Sequence, residues 1–182
     1  MDDPTLAMEL PKRIQELVAP LYGKECCRHQ VWKPRSLWLG FGEKIYHGNP
    51  NLVSAFYGEW EIGTYYNGWR VIKDGRLLCG SDDPVDCHSD LQAVLKDIRF
   101  GRLSGLKQMT PFDVRAEFDT QIVVDFLATI SDGDECFSII NGLNHTAIEF
   151  SVAGGWKSGD SSKPWDKAVE HQSCGPSTIT QK

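Results

Sequence analysis

The sequence lacks any apolar run that approaches the roughly 20 residues of a membrane-spanning helix. Its first residues, MDDPTLAMELPKR, are acidic, whereas a secretory signal peptide has a basic segment followed by an apolar stretch. We therefore expect a cytoplasmic protein that is neither exported through a signal peptide nor embedded in a membrane.

Motifs that mark catalytic or metal sites are also missing. The sequence has no Gly-x-Ser-x-Gly, no phosphate-binding loop, no dinucleotide fingerprint, no Cys-x-x-Cys and no His-Glu-x-x-His. Cys26, Cys27 and His29 lie close together in sequence, but adjacent side chains on a strand or helix point apart. The segment 131–135 lacks the ligand spacing of a calcium-binding loop. We therefore predict no catalytic residue, no metal and no cofactor.

The chain has 182 residues, of which 41% are hydrophobic and 24% are charged, as in ordinary globular domains. This length suits one hydrophobic core and is short for two. We predict a single domain over residues 1–153. From Gly154 onward the sequence is rich in glycine, serine and lysine, so residues 154–182 are expected to form a loosely ordered tail with one helical turn at Pro164–Val169.

Helical periodicity of the apolar residues predicts two helices. The first covers residues 10–20, and the second covers Ser89–Phe100, with Asp86 or Ser89 as its cap and Gly101 at its end. The segment between the first helix and Arg35 is polar and basic, and we predict a connector there.

Alternating apolar residues predict the strands, the first of which is Ser36–Gly42. Residues 58–81 have the pattern of a meander, in which Asn67-Gly68 and Asp74-Gly75 supply the positive φ angles of two tight hairpin turns. Short polar turns separate the later strands and favour antiparallel pairing. These strands are predicted at Arg102–Met109, Asp113–Phe118, Gln121–Ala128, Cys136–Ile140 and Ala147–Val152. The predicted fold class is α+β, with antiparallel sheets, an N-terminal helix and one central helix.

Glu59 and Glu61 form the most enzyme-like pair in the sequence. They flank Trp60 on a predicted strand, so both carboxylates point to one face, about 6.5 to 7 Å apart along the backbone. Glycosidases use two carboxyl groups at a comparable separation. Any half-exposed strand presents the same alternation, and aromatic residues are the only other sign of sugar chemistry. A small glycosidase-like hydrolase that uses Glu59 and Glu61 is therefore an alternative hypothesis.

Negative charge is concentrated late in the chain. The net charge is −6, and residues 111–182 carry five Lys or Arg against eleven Asp or Glu. Between Asp113 and Glu135 there are seven acidic residues and one basic residue, Arg115. This charge disfavours nucleic acid and favours a basic partner, and tyrosine and tryptophan residues beside carboxylates are typical anchors of an interface. The predicted partner-binding residues are Glu59, Glu61, Tyr65, Trp69, Asp82, Asp83, Asp132, Asp134 and Glu135.

Three segments carry a family resemblance: LWLGFG at Leu37–Gly42, GEWEIGTYYNGWRVIKDG at Gly58–Gly75, and FDTQIVVDF at Phe118–Phe126. Together with their surroundings, roughly residues 36–152, they resemble bacterial immunity proteins of polymorphic-toxin and contact-dependent growth inhibition systems. The resemblance implies a cytoplasmic protein that binds one cognate toxin domain, commonly a nuclease, and blocks its active site or the approach of its substrate. Such toxins are basic, so an acidic surface would imitate the charge of phosphates.

The leading hypothesis is therefore a non-enzymatic inhibitor of a basic toxin domain, with no direct contact to nucleic acid or membrane. The alternatives are the hydrolase that uses Glu59 and Glu61 and a non-inhibitory adaptor domain. The position of the gene distinguishes them, because the gene of an immunity protein is expected directly downstream of a toxin-encoding reading frame.

Overall fold

The structure is a computed structural model that describes residues 8–50, 54–65, 68–131 and 134–163. Within these residues the chain forms two α-helices, α1 (Lys12–Val18) and α2 (His88–Leu95), and a short 3-10 helix at Ala19–Leu21 follows α1. The strands are β1 (Cys26–Trp32), β2 (Ser36–Tyr46), β3 (Phe56–Gly63), β4 (Gly68–Lys73), β5 (Arg76–Gly80), β6 (Leu103–Gln108), β7 (Val114–Phe118), β8 (Ile122–Leu127), β9 (Phe137–Asn141), β10 (Thr146–Ser151) and β11 (Gly155–Asp160).

The strands form two sheets. One has six strands in the order β1-β2-β3-β9-β10-β11, and the other has five in the order β5-β4-β8-β7-β6. Every strand pair of the described residues is antiparallel. The α+β class is confirmed, and so are the five strands predicted after Gly101, which are β6 to β10.

One hydrophobic core joins the two sheets. On β2 the core residues are Leu37, Leu39 and Phe41, and on β4 they are Trp69 and Val71. Because side chains alternate along a strand, the residues between these positions point to the opposite face of each sheet. We use the term outer face for the side of the six-stranded sheet that points away from this core.

The first of the two predicted hairpins is wrong. β3 lies in the six-stranded sheet, where β2 and β9 occupy both of its edges, so β4 has no edge of β3 to pair with. β4 instead pairs with β5 and β8 in the other sheet. The second hairpin, between β4 and β5, is confirmed, and its turn residues Asp74 and Gly75 have φ angles of 50° and 72°.

Strand β1 occupies the segment that we predicted as a polar connector. Its polar residues Arg28 and Gln30 alternate with core-facing residues such as Val31, so its polarity belongs to one face only. Helix α2 covers its edge: Val31 N donates to the side-chain oxygen of Gln92 at 2.7 Å, and Gln92 donates to the His29 carbonyl at 3.3 Å.

Helix α2 is shorter than predicted and begins with a different cap. Cys87 is the N-cap and forms a capping box with Asp90, in place of Asp86 or Ser89. Leu91 and Leu95 are buried as expected, whereas Val94 is 44% exposed. The helix therefore packs through a narrow stripe and ends well before Gly101.

The six-stranded sheet continues into the segment predicted as a loose tail. β11 pairs with β10 along its whole length, so ordered structure extends beyond residue 153. The predicted helical turn at Pro164–Val169 lies outside the described residues. No helix in the described part of the chain combines the length and the apolar character that a membrane span requires.

Candidate functional site

A row of paired residues crosses the outer face. Arg28 on β1 lies opposite Gly40 on β2, Gly40 lies opposite Glu61 on β3, and Glu61 lies opposite Ile140 on β9. The strand registers thus place a cation and a carboxylate on either side of a glycine. Gly40 leaves the space above β2 in which the two charged side chains meet.

Arg28 and Glu61 form a buried ion pair on this face. Arg28 Nη1 donates to Glu61 Oε2 at 2.7 Å, and Gly58 N donates to Glu61 Oε1 at 2.7 Å. The two side chains are only 5% and 10% exposed. Burial raises the pKa of Glu61, and the opposing effects of Arg28 and the Gly58 N–H offset part of this change.

An open pocket of about 650 Å³ lies above this ion pair. We call it the aromatic pocket because its lining includes Trp32, Trp38, Tyr57 and Tyr65, and its polar lining is Arg28, Lys33, Ser36 and Glu61. Tyr65 is 46% exposed, and its ring meets Trp38 edge-on with 5.0 Å between the ring centroids. The volume falls within the range of small-molecule sites, roughly 300 to 1,000 Å³.

A glycine also makes room for the indole of Trp38. Gly63 lies opposite Trp38 in the β2–β3 pairing. A Cβ atom at Gly63 would lie 2.7 Å from Trp38 Cδ2, which is closer than side-chain atoms approach one another. The indole of Trp38 therefore packs over Gly63, and it forms one wall of the aromatic pocket.

Only one carboxylate of the predicted catalytic pair lines the pocket. Glu59 accepts a hydrogen bond from Lys24 Nζ at 2.8 Å, and it is absent from the described lining of the aromatic pocket. Glu59 and Glu61 thus each have their own cation. Among the described residues, the lining lacks the second carboxylate on which glycosidase chemistry depends.

An acidic residue, Glu149, lies on the same outer face beyond β9, and Glu135 is its neighbour. Glu149 on β10 is opposite Ser138, which is opposite Gly63, so Glu149 shares the outer face with Glu61. Burial raises the pKa of Glu149, and the neighbouring carboxylate of Glu135 raises it further. Asp134 and Glu135 are exposed. We call Asp134, Glu135 and Glu149 the acidic patch. Asp132, also predicted to bind a partner, lies outside the described residues.

Trp69 does not contribute to a binding surface, contrary to the prediction. It is 1% exposed in the core, and its indole N–H donates to the Arg35 carbonyl at 2.6 Å.

Asp82 is exposed and lines a smaller cleft of about 220 Å³, to which Tyr65 also contributes. Tyr65 therefore stands between the cleft and the aromatic pocket. Asp83 is partly exposed beside this cleft.

Several carboxylates that were predicted to form an acidic surface are bound within the protein. Asp125 is fully buried between Arg70 and Arg115, at 2.8 and 2.6 Å. The others accept internal bonds as follows: Asp113 from Thr110 and from Ala128 N, Asp119 from Arg102 N, and Glu117 from Lys107. The acidic surface is consequently smaller than the composition suggested.

Sequence reasoning missed Arg28, Trp32, Trp38 and Tyr57 as site residues. The first two lie on β1, in the segment predicted as a connector. The alternation of Arg28, Gln30 and Trp32 was the available signal, since it places three large side chains on one strand face.

Comparisons with protein-family models, with curated proteins and with solved structures found no match to this chain. Among the described residues, no cluster of three or more His, Cys, Asp and Glu side chains is arranged to hold a metal ion.

The first prediction concerns the glycine beneath the ion pair. A Cβ atom at Gly40 would lie 2.6 Å from Glu61 Oε1, so Gly40→Ala should displace the carboxylate from Arg28. We expect the free energy of unfolding, measured by urea denaturation, to fall by about 1 to 3 kcal/mol. Gly142→Ala is the matched control, because its Cβ would meet nothing closer than Ile45 Cδ1 at 3.5 Å. Equal effects of the two substitutions would contradict this account.

The second prediction concerns pH. Because the pKa of Glu149 in the folded protein is raised above its ordinary 4.5, the stability that this group contributes is greatest below pH 4.5 and declines as the pH rises toward the folded-state pKa. Glu149→Gln removes this decline. The variant should therefore be more stable than the natural protein at pH 7, by less than about 1 kcal/mol because the group is half exposed, and the difference should vanish at pH 4.

Urea denaturation at several pH values measures this difference. Glu117→Gln is the control. Glu117 forms an ion pair with Lys107, so removal of its charge should not increase the stability of the protein. A Glu149→Gln variant that is less stable than the natural protein at pH 7 would show that Lys157, which lies opposite Glu149, dominates the environment of this carboxylate.

Proposed function

We propose that this protein is a non-enzymatic inhibitor that binds and neutralises a cognate toxin domain in the cytoplasm, as its resemblance to bacterial immunity proteins implies. The observation that carries the proposal is that the aromatic pocket and Glu149, with its neighbour Glu135, lie on one outer face of the six-stranded sheet. An open sheet face with both features suits a protein partner.

The two features have complementary roles in association. Exposed carboxylates accelerate encounter with a basic partner, since opposite charges steer diffusion. Tyrosine and tryptophan rings then contribute large rigid contact area at low entropic cost. Tyr65 is the best-placed anchor, because it is half exposed and lies between the pocket and the cleft that contains Asp82.

The pairing of the central carboxylates favours binding over catalysis. Glu61 is held by Arg28 and Glu59 by Lys24, so a substrate could contact either carboxylate only in competition with its cation. The hydrolase alternative retains one favourable feature, the raised pKa of Glu61, which lies in a pocket. The part of the pocket that the structure describes has no second carboxylate.

Co-expression provides the test of the proposed function. The protein is produced in a bacterium together with the toxin domain encoded directly upstream of its gene, and growth is compared with that of cells that express the toxin alone. We expect growth rescue and recovery of a stoichiometric complex by affinity purification. Complex formation without rescue would favour the non-inhibitory adaptor, and the absence of both would refute the proposal.

Two substitutions locate the interface, which is the third prediction. Tyr65→Ala should raise the dissociation rate of the complex about tenfold or more, as truncation of an interface tyrosine commonly does. Tyr46→Ala is the control, because Tyr46 is 72% exposed and is not part of the described lining of either pocket. Surface plasmon resonance measures both rates. A similar effect of the two variants would place the interface elsewhere.

The acidic patch is tested separately, because it should act on association. Replacement of Asp134 and Glu135 by serine should slow association and weaken its dependence on salt, since both follow from long-range attraction. Dissociation should change little. Unchanged association kinetics at low salt would show that these carboxylates do not face the partner.

A further inference from the structure

The aromatic pocket has the construction of a ligand site. Its floor includes Gly58, Gly40 lies between Arg28 and Glu61 on the strand that separates them, and Gly63 lies opposite Trp38. A Cβ atom at Gly40 would meet the Glu61 carboxylate at 2.6 Å, and one at Gly58 would meet the Trp60 carbonyl at 2.7 Å. Side chains at these positions would therefore fill or distort the floor. The shape of the pocket therefore depends on the absence of side chains at Gly40, Gly58 and Gly63.

Arg28 brings unused hydrogen-bonding capacity to this floor. Its Nη1 donates to Glu61, but Nε and Nη2 are buried and have no hydrogen-bond partner among the described residues. The rings of Trp32 and Tyr57 flank the guanidinium, with their centroids 6.0 and 5.3 Å from Cζ. Buried donors without an acceptor cost free energy, because they have lost their hydrogen bonds to water. An acceptor that reached them would recover this energy.

The net charge of the described lining of the aromatic pocket has the opposite sign to the net charge of the whole chain. Arg28 and Lys33 are cations and Glu61 is the single carboxylate, so the sum is +1, whereas the chain as a whole has a net charge of −6. A cationic ligand would meet both Arg28 and Lys33 and be repelled. An uncharged apolar ligand would leave the Arg28 donors unpaired. A ligand with an anionic acceptor group suits both features.

We propose that the aromatic pocket binds a small planar aromatic carboxylate, independently of any toxin domain. Its ring stacks against Trp32 and Trp38, and its carboxylate accepts from Nε and Nη2 of Arg28, with Lys33 at the rim adding attraction. Tyr57, which is 38% exposed, turns aside to open this path. No bond is made or broken. The proposal goes beyond the proposed function and does not rest on it.

Three naphthalene probes with different charges test the proposal by isothermal titration calorimetry on the full chain. They are 2-naphthoate, the uncharged 2-naphthylmethanol and the cationic 2-naphthylmethylammonium. We expect 2-naphthoate to bind about tenfold or more tightly than the alcohol, since hydrogen bonds between charged groups are stronger than those of an uncharged hydroxyl. The ammonium probe should bind most weakly. Equal affinities for the three probes, or tighter binding of the ammonium, would overturn the proposal.

Variants show whether Arg28 is responsible. Arg28→Lys retains a cation for Glu61 but removes the forked donors, so the preference for naphthoate over the alcohol should fall below about threefold. Arg70→Lys is the matched control, because Arg70 forms an ion pair with Asp125 on the other sheet. The preference of this variant for naphthoate over the alcohol should be unchanged. An unaltered preference in folded Arg28→Lys would overturn the assignment.

A second variant keeps the test decisive if Arg28→Lys does not fold. Ile140 is partly exposed and lines the pocket beside Glu61, so Ile140→Trp should fill the pocket while leaving Arg28 and Glu61 themselves in the sequence. Naphthoate binding should then be lost while the circular dichroism spectrum and the melting temperature stay close to those of the natural protein. Retained binding in this variant would place the naphthoate elsewhere on the protein.

Discussion

The outer face is organised around the buried ion pair between Arg28 and Glu61. Removal of two charges from water costs several kcal/mol for each, and this cost is met only if the geometry is close and the remaining polar atoms are bonded. Gly40 allows the close approach, and the Gly58 N–H supplies the second bond to Glu61. Nε and Nη2 of Arg28, in contrast, have no acceptor among the described residues. The burial of this ion pair on the surface of a sheet thus determines the shape of the pocket and leaves these two donors beside it.

A second arginine links the two sheets beside this pocket. Arg35 lies in the turn between β1 and β2 and has a φ angle of 98°. Its guanidinium donates to the carbonyls of Ser81, Asp83 and Val85 at 2.7 to 3.1 Å, and its own carbonyl accepts from the Trp69 indole. The loop that carries Asp82 is therefore held against the β1–β2 turn. This contact brings the smaller cleft and the aromatic pocket together around Tyr65.

The two faces of the six-stranded sheet differ in character. The core between the sheets is apolar and continuous, while the outer face carries charges, open aromatic rings and a hollow. The inhibitor proposal and the small-ligand proposal both concern this face, yet they differ in their contacts: the first depends on Tyr65 and the acidic patch, and the second on Arg28.

Local patterns in the sequence determined most of the secondary structure. The strands β6 to β10, helix α1 and the Asp74-Gly75 turn were predictable, because alternation and turn chemistry act between near neighbours. The separation of β3 from β4 was not, since the choice of sheet depends on which edges β2 and β9 already occupy. The site was not predictable either. The registers of three strands bring Arg28, Gly40 and Glu61 together. The burial of Trp69 follows from the packing of one sheet on the other. Residue types and spacing identified Glu61 and Tyr65 as candidates, but only long-range pairing decided which residues surround them.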